Sequence, residues 1–413
     1  MPRSFLLAGL MAVLPTAMVQ AQGDETRQVS GAVGYLQRIG LPPDARAVVV
    51  AEGRFGAMLG EVTLDADGEQ VPLPFGMTVP ANLSGQLSAV IRVNNQPRWL
   101  LRDMPFAAGT KPVDLSTLIL EPVTALAFAV DFICGDTTVS FGMLGDETVL
   151  RAEGRDIAMK QVISASGARF QGIKEQNTEF WNKGDRAMVR LEGRDLPECQ
   201  QAPPPAQQTY RAGGNEPGWS VALTAETAEI SADYGEITHS LPRPEVQVLP
   251  GAYVFDMPEI KAQLTIREGI CRDDATGMPH PDAAVLTLGA REFRGCGGAP
   301  EDLLTGPAWQ VTALGAPSLI EPERLTLNFI TPGRVAGSTG CNRLVGGYTI
   351  TGEGLQFGAM GSTMMACPDP LMEQERRMLD ALEQVTRFDI AEDGALRLIG
   401  GAADGVLIEA RRP

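Results

Sequence analysis

Met188-Val189-Arg190-Leu191-Glu192 and Leu325-Thr326-Leu327-Asn328-Phe329 put apolar and polar groups on opposite faces of an extended chain. A period of two is the signature of a half-buried strand. Such runs are short throughout, and glycine and proline stand between them, where they end a strand and turn the chain back. The reading is a mainly β protein. The best helix signal lies near the end of the chain. Asp369 can cap it, Pro370 suits the first helical position, and Leu371, Met378, Leu379, Leu382 and Val385 fall on one stripe. Glu373, Glu375, Arg376 and Arg377 form the polar face, expected to meet solvent.

A chain of 413 residues exceeds what a single core commonly serves, and two to four domains are expected. The clearest boundary is 200–208, where Pro203-Pro204-Pro205 sits among Gln and Ala as a semi-rigid spacer. Softer boundaries fall at Glu121-Pro122 and Ala299-Pro300-Glu301. Each of the four resulting segments holds one tryptophan (Trp99, Trp181, Trp219, Trp309), read as one large aromatic per small core.

The 34 basic and 51 acidic residues give a net charge of −17. That balance argues against nucleic acid or an anionic membrane surface as a partner, and favours capture of a basic one. Arg3, an apolar run over 5–14 and Val19-Gln20-Ala21 read as a signal peptide over 1–21. No later run has the apolar length of a transmembrane span. No cysteine precedes Cys134, so a lipid-attachment cysteine is not expected, and the mature chain reads as a soluble periplasmic protein.

The six cysteines allow fifteen pairings, but their positions fall into three local couples: Cys134 with Cys199, Cys271 with Cys296, and Cys341 with Cys367. Disulfides are expected in an oxidising compartment, each worth roughly 3 to 4.5 kcal/mol in the chain-entropy account. With no C-x-x-C and only His239 and His280, neither a metal site nor a redox dithiol is expected, and no cofactor is implied. There is no Gly-x-Ser-x-Gly elbow, free nucleophilic thiol or dinucleotide fingerprint, so no catalytic residues are assigned and the chain reads as a non-enzyme. Paired carboxylates leave no spacing signature, so a hydrolase built on Asp and Glu alone stays open.

Ser164-Ala165-Ser166-Gly167-Ala168-Arg169-Phe170 and Trp181-Asn182-Lys183-Gly184-Asp185, framed by Cys134 and Cys199, give 125–199 a family resemblance. The segment resembles the bacterial inhibitors of c-type lysozyme of the MliC type. That resemblance implies a small antiparallel β-barrel whose two loops carry a serine and a lysine, here Ser166 and Lys183, into the lysozyme cleft. Gly167 and Gly184 would permit tight turns, and Trp181 would pack beneath the second loop and hold the lysine outward. Arg169 or Lys174 could replace Lys183 as the cation. The segment departs from the family pattern at Phe170, where tyrosine is usual, and in a longer stretch over 171–180.

The other segments carry resemblances with less chemistry. Gly31-x-Val33-x-Tyr35, Leu41-Pro42-Pro43-x-Ala45 and Val71-Pro72-Leu73-Pro74-Phe75 make 29–120 similar to YbaY-type lipoprotein and pilotin-like domains, which implies a β-sandwich. In 209–300, Gly214-Asn215-Glu216-Pro217-Gly218-Trp219, Cys271-Arg272-Asp273-Asp274 and Gly295-Cys296-Gly297-Gly298 resemble a disulfide-stapled envelope domain of unknown function. Glu216, Asp273 and Asp274 read as turn formers in preference to an acid–base set or cation site. His280, between two prolines, reads as an exposed loop residue. Trp309, Gly337-Ser338-Thr339-Gly340-Cys341-Asn342-Arg343 and Gly361-Ser362-Thr363-Met364-Met365-Ala366-Cys367 make 303–411 resemble a META domain of the HslJ heat-shock type, with one helix. Asn342 and Arg343 are expected to tie a turn beside the disulfide, and Met364 and Met365 to fill core. The functional expectation is a lysozyme inhibitor; the alternative is an envelope assembly or stress protein that uses its segments as docking surfaces.

Overall fold

Proline in a strand lacks an N–H for the ladder, which restricts it to sheet edges, and the N-terminal part of the chain obeys this. The computed structural model describes residues 26–203, 208–330, 332–352 and 354–412. The stretch read as a signal peptide lies outside them. Thr26–Gly34 is the middle strand of a three-stranded sheet, antiparallel to Leu73–Pro80 and parallel to Val113–Ile119. Leu73–Pro80, which carries Pro74, is an edge strand, and its Leu73, Phe75, Met77 and Val79 alternate inward. A second sheet runs Met58–Asp65, Arg46–Glu52, Gly85–Val93, Gln96–Phe106 and Glu121–Pro122. Val29, Val33 and Phe75 of one sheet share a core with Val49, Leu87 and Ile91 of the other, making a sandwich.

Nine antiparallel strands follow: Val130–Cys134, Thr137–Leu144, Glu147–Ala152, Arg155–Val162, Ala168–Gly172, Glu179–Lys183, Arg186–Leu191, the two-residue Arg194–Asp195 and Cys199–Gln201. They close into a barrel because Glu179–Lys183 pairs with strands on both sides, while Cys199–Gln201 links Arg186–Leu191 back to Val130–Cys134. The Cys134–Cys199 disulfide reinforces that seam. Phe132, Phe141, Phe170 and Phe180 fill the inside, with Phe141 stacked on Phe180 at 4.1 Å between ring centroids. Phe170, where the family usually has tyrosine, is core and packs against Phe141. The extra residues of 171–180 form a turn at the end of the barrel opposite 164–167. Gln200 and Gln201 extend the closing strand into the stretch read as a spacer.

Residues 210–297 form a nine-stranded sheet with Ile237–Pro242 at one edge and Val246–Leu249 at the other. Only residues 243–245 connect these edges, and so short a link spans no more than about 14 Å. The sheet therefore curls almost onto itself. It does not hang apart from the N-terminal sandwich, because the two share one hydrophobic core. Phe55, held at φ 63°, sets its ring edge-on to Tyr210, Tyr253 and Phe255 at 5.1–5.3 Å. Beside it Arg54 pairs with Asp282, which is fully buried and also accepts from the Tyr210 hydroxyl. Burial pushes the Asp282 carboxyl up, and the Arg54 charge pulls against it.

The last sheet runs from Gly354–Phe357 through Arg343–Thr351, Arg334–Thr339, Leu325–Ile330, Trp309–Ala313, Gly405–Arg411 and Leu396–Gly400 to Val385–Ile390. Helix Asp369–Glu383 lays Leu371, Met378 and Leu382 against it. A short helix, Pro300–Leu304, crosses the boundary expected at Ala299-Pro300-Glu301, and Asp369–Glu383 is the helix expected in 303–411. Asp369 does not cap the long helix: the cap position is Pro368, with no side-chain cap bond, and Asp369 lies in the first turn. Glu375 departs from the expected polar face. It is buried, and accepts from Thr339 Oγ1 (2.8 Å), Asn342 Nδ2 (2.9 Å) and Ser362 Oγ (3.0 Å), donors brought from two strand ends and the turn between strands. Asn342 also accepts from Thr363 and from the Met365 amide, and the Arg343 amide donates to Thr363 Oγ1 while its carbonyl accepts from the Thr363 amide, so both residues tie the two ends of the Cys341–Cys367 link, with the Arg343 side chain exposed. Met364 and Met365 are not core filler; they are 98% and 56% exposed. Arg272 of the preceding sheet reaches this unit through a bidentate pair with Asp389 at 3.0 and 3.1 Å.

Removing the Arg54 charge would strand a buried carboxylate. Arg54→Gln is expected to cost about 3 kcal/mol in urea denaturation, with Asp282→Asn milder because the amide oxygen still accepts from Arg54 and the partly exposed guanidinium keeps some solvent. An Arg54→Gln variant as stable as the parent would show that this pair does not join the two sheets.

Candidate functional site

The barrel has two rims, and strand register decides which residues share one. Ala168 pairs with Asn182, and Asn182 with Ala187, so the turn at 163–167 and the hairpin tip at 184–185 lie side by side. Ser166 and Lys183 are thereby brought to one rim, both exposed. Alternation along Glu179–Lys183 sends Phe180 into the core and leaves Trp181 on the outer surface, only partly covered. Trp181 is thus not the core aromatic of its segment; Trp99, Trp219 and Trp309 are buried in theirs.

The outward indole organises the rim. Its Nε1–H donates to the Ser166 carbonyl at 2.8 Å, fastening the first turn to the second strand. Ser164 Oγ closes the same turn by donating to the Gly167 carbonyl at 2.8 Å. The Lys183 ammonium lies 3.9 Å from the Trp181 ring centroid, a cation–π contact that props the side chain over the ring. Gly167 is required twice over. Its φ is +69°, and a Cβ there would meet the Asn182 carbonyl at 2.2 Å. Gly184 also has a positive φ, +74°, but a Cβ there would meet nothing within 4 Å.

Among the described residues, Lys183 makes no ion pair and the Ser166 hydroxyl no hydrogen bond. The rim therefore presents one free ammonium and one free hydroxyl, donors suited to a carboxylate pair. Arg169 is differently employed. Its Nη2 donates to both carboxylate oxygens of Glu179 at 2.8 and 2.9 Å, so it braces Trp181 from the flank and is not a free cation. Lys174 lies in the turn at the far end of the barrel and cannot stand in for Lys183. Ile163, absent from the sequence reading, is 99% exposed at the start of the first turn. Its signal is the pair Val162-Ile163 directly before a Ser-rich turn, since a period of two cannot bury both.

The remaining candidates resolve into structural roles or into pocket walls. Asp273 Oδ1 accepts from the amides of Ala275 and Thr276 and from Thr276 Oγ1, and Asn215 bridges Asp273 and Asp274. These aspartates form a turn, and Glu216 is exposed beside it. His280 is not in an exposed loop: it lies in strand Pro279–Leu288, half-buried, with Nδ1 2.9 Å from the Gly298 carbonyl. No cluster of three or more His, Cys, Asp or Glu able to hold a metal occurs among the described residues. No helix among them is long and apolar enough to cross a membrane.

Comparison with known proteins now assigns two parts of the chain. A family model described as membrane-bound lysozyme-inhibitor of c-type lysozyme (MliC) matches residues 132–197. The META domain model matches residues 302–412. Neither is an enzyme family, and the MliC domain points to the cell envelope. An alternative pilotin from the type II secretion system of Vibrio cholerae is 24% identical, over 24% of this chain and 98% of that one, with a TM-score of 0.21. A protein from Burkholderia xenovorans, solved by NMR, is 25% identical over 27% of this chain and 86% of its own, with a TM-score of 0.24. No curated protein matches the chain. The YbaY-like reading of 29–120 rests on its sequence motifs.

The two rim glycines separate backbone strain from collision. Gly184→Ala is expected to cost about 1 kcal/mol, the left-handed penalty alone. Gly167→Ala adds the clash with Asn182 and should cost about 1–3 kcal/mol more. Equal unfolding midpoints in urea for the two variants would contradict the close approach of the two turns.

Proposed function

From a chain that carries an MliC domain over 132–197 and a META domain over 302–412, we propose a periplasmic protein that inhibits c-type lysozyme by seating its barrel rim in the catalytic cleft. The observation that carries this is the pair of uncommitted donors, Ser166 and Lys183, held side by side on a rigid rim. A retaining glycosidase keeps one ionised and one protonated carboxyl group about 5 Å apart. The Lys183 ammonium pairs with the ionised group, and the Ser166 hydroxyl bonds to either. Ile163 extends the contact as an apolar knob beside the two donors, and Gly167, Arg169 and Trp181 position them. Nothing in this requires covalent chemistry. The net charge of −17 assists encounter with a basic enzyme.

The alternative, an envelope assembly or stress protein, draws support from a different surface. Val345, Met364 and Met365, each more than half exposed beside the Cys341–Cys367 link, present apolar groups of the kind that dock partners.

The test is inhibition of a c-type lysozyme by the full chain in a cell-wall lysis assay. Lys183→Ala leaves a carboxylate of the enzyme buried without its partner and is expected to weaken inhibition by about 30- to 1,000-fold. Ser166→Ala should cost about 3- to 10-fold, and Ile163→Asp should weaken binding through apolar loss and like charge. Raising the salt concentration should slow association more than it speeds dissociation. If the parent does not inhibit, the docking reading takes first place; if Lys183→Ala inhibits as well as the parent, the cleft-plugging mechanism fails.

A further inference from the structure

The Lys183 tip has two neighbours on the rim, and the Ser166 turn is only one of them. On its other side run Gln200, Gln201 and Ala202, the first residues of the stretch read as a spacer. The Gln201 amide donates to the Asp185 carbonyl at 2.7 Å, and the Ala202 amide to the Asp131 carbonyl at 2.7 Å. Register places the same residues between two strands: Gln200 pairs with Arg186 and with Ile133, and Gln201 with Phe132. Together these bonds tie the hairpin tip to the first strand of the barrel. We propose that Gln201 is a positioning residue for Lys183, its backbone N–H holding the tip from which the ammonium is presented. This rests on the lysozyme-inhibitor reading and adds to it a residue outside 132–197, the stretch that the family model matches.

The tip depends on this clasp because little else holds it on that side. Gly184 has a φ of +74°, and a Cβ there would meet nothing within 4 Å, so the turn projects freely. Arg186 pairs with Glu198 at 3.6 Å, but their side chains are 64% and 66% exposed, and such a pair contributes little. Neither Lys183 nor Asp185 makes an ion pair among the described residues. On the Ser166 side the support is firm, through the Trp181 bond to the Ser166 carbonyl and the close approach of Gly167 to the Asn182 carbonyl. A two-residue tip held on one flank pivots about its last ladder pair, Lys183 with Arg186. Held on both flanks it keeps the lysine in one place, so that the cost of ordering it falls on folding and not on binding.

The clasp is itself anchored. Cys199 begins the strand that carries Gln201, and its disulfide to Cys134 fixes that strand to the barrel seam. The Gln201 side chain is exposed, so the role belongs to the main chain and survives any substitution that keeps the N–H.

The experiment is the affinity of the full chain for a c-type lysozyme, read by surface plasmon resonance in a double-mutant cycle. Gln201→Pro removes the donor and suits the extended backbone of a strand end. It should weaken binding about tenfold, mostly through faster dissociation. Gln201→Ala keeps the N–H and should bind within about twofold of the parent. In the Lys183→Ala background, Gln201→Pro should cost less than about twofold more, because no ammonium is left to position. A general loosening of the barrel would cost as much in either background. Should Gln201→Pro fail to fold, amide hydrogen exchange on the parent decides, with the Gln201 N–H expected to be protected and more so when lysozyme is bound. Parent-like binding by Gln201→Pro, an undiminished loss in the Lys183→Ala background, or a Gln201 amide that exchanges as fast as open chain would overturn the proposal. A parent that does not bind lysozyme overturns the cleft reading and the clasp with it. If Lys183→Ala weakens binding and Gln201→Pro does not, the clasp alone is wrong.

Discussion

The double-sided pairing of strand Glu179–Lys183 is the constraint on which the candidate inhibitory site depends. One neighbour carries the turn with Ser166 at its end, the other completes the hairpin that presents Lys183, and the same pairings close the barrel. The inward Phe180 and outward Trp181 are successive residues, so the packing of the core and the organisation of the rim share one register. A slip of one residue would bury Trp181, expose Phe180 and separate the two donors. Burial of four phenylalanines makes that slip costly, which is how an apolar core holds a polar site in place.

The larger architecture works by the same economy of contacts. The N-terminal sandwich and the third sheet are far apart in sequence but meet around Phe55 and the Arg54–Asp282 pair. A buried carboxylate that needs a guanidinium from another unit makes the interface specific as well as apolar. The C-terminal sheet joins through Arg272 and Asp389 and through Met278, which belongs to its core. The barrel touches the sandwich through Arg102, which donates to the Ala127 carbonyl and lies over Phe128. The rim with Ser166 and Lys183 is left exposed at the surface.

Local patterns were legible in the sequence. Val189 and Leu191 face the barrel core and Arg190 faces out, and Leu325, Leu327 and Phe329 are buried, as alternation required. The Ser166 turn and Lys183 tip were visible because their glycines and tryptophan form a compact motif. What escaped reading depends on residues far apart. Glu375 looks like a solvated helix residue until Thr339 and Asn342, which flank one turn, and Ser362 from another strand arrive to satisfy it. Nothing local in Gly53-Arg54-Phe55-Gly56 announces that Tyr210 and Asp282 lie against it. His280 between prolines looked like loop for the same reason, since its strand is defined by partners elsewhere. Met364 and Met365 were misplaced because hydrophobicity alone does not reveal which apolar groups a sheet leaves uncovered.

On the proposed mechanism the barrel rim occupies the catalytic cleft of lysozyme and not some other face of it. The most direct measurement is the affinity of the full chain for a c-type lysozyme with and without a saturating chito-oligosaccharide in the cleft. Competition is predicted, with apparent affinity falling in proportion to oligosaccharide occupancy. An affinity unchanged by a filled cleft would contradict the account, whatever its strength.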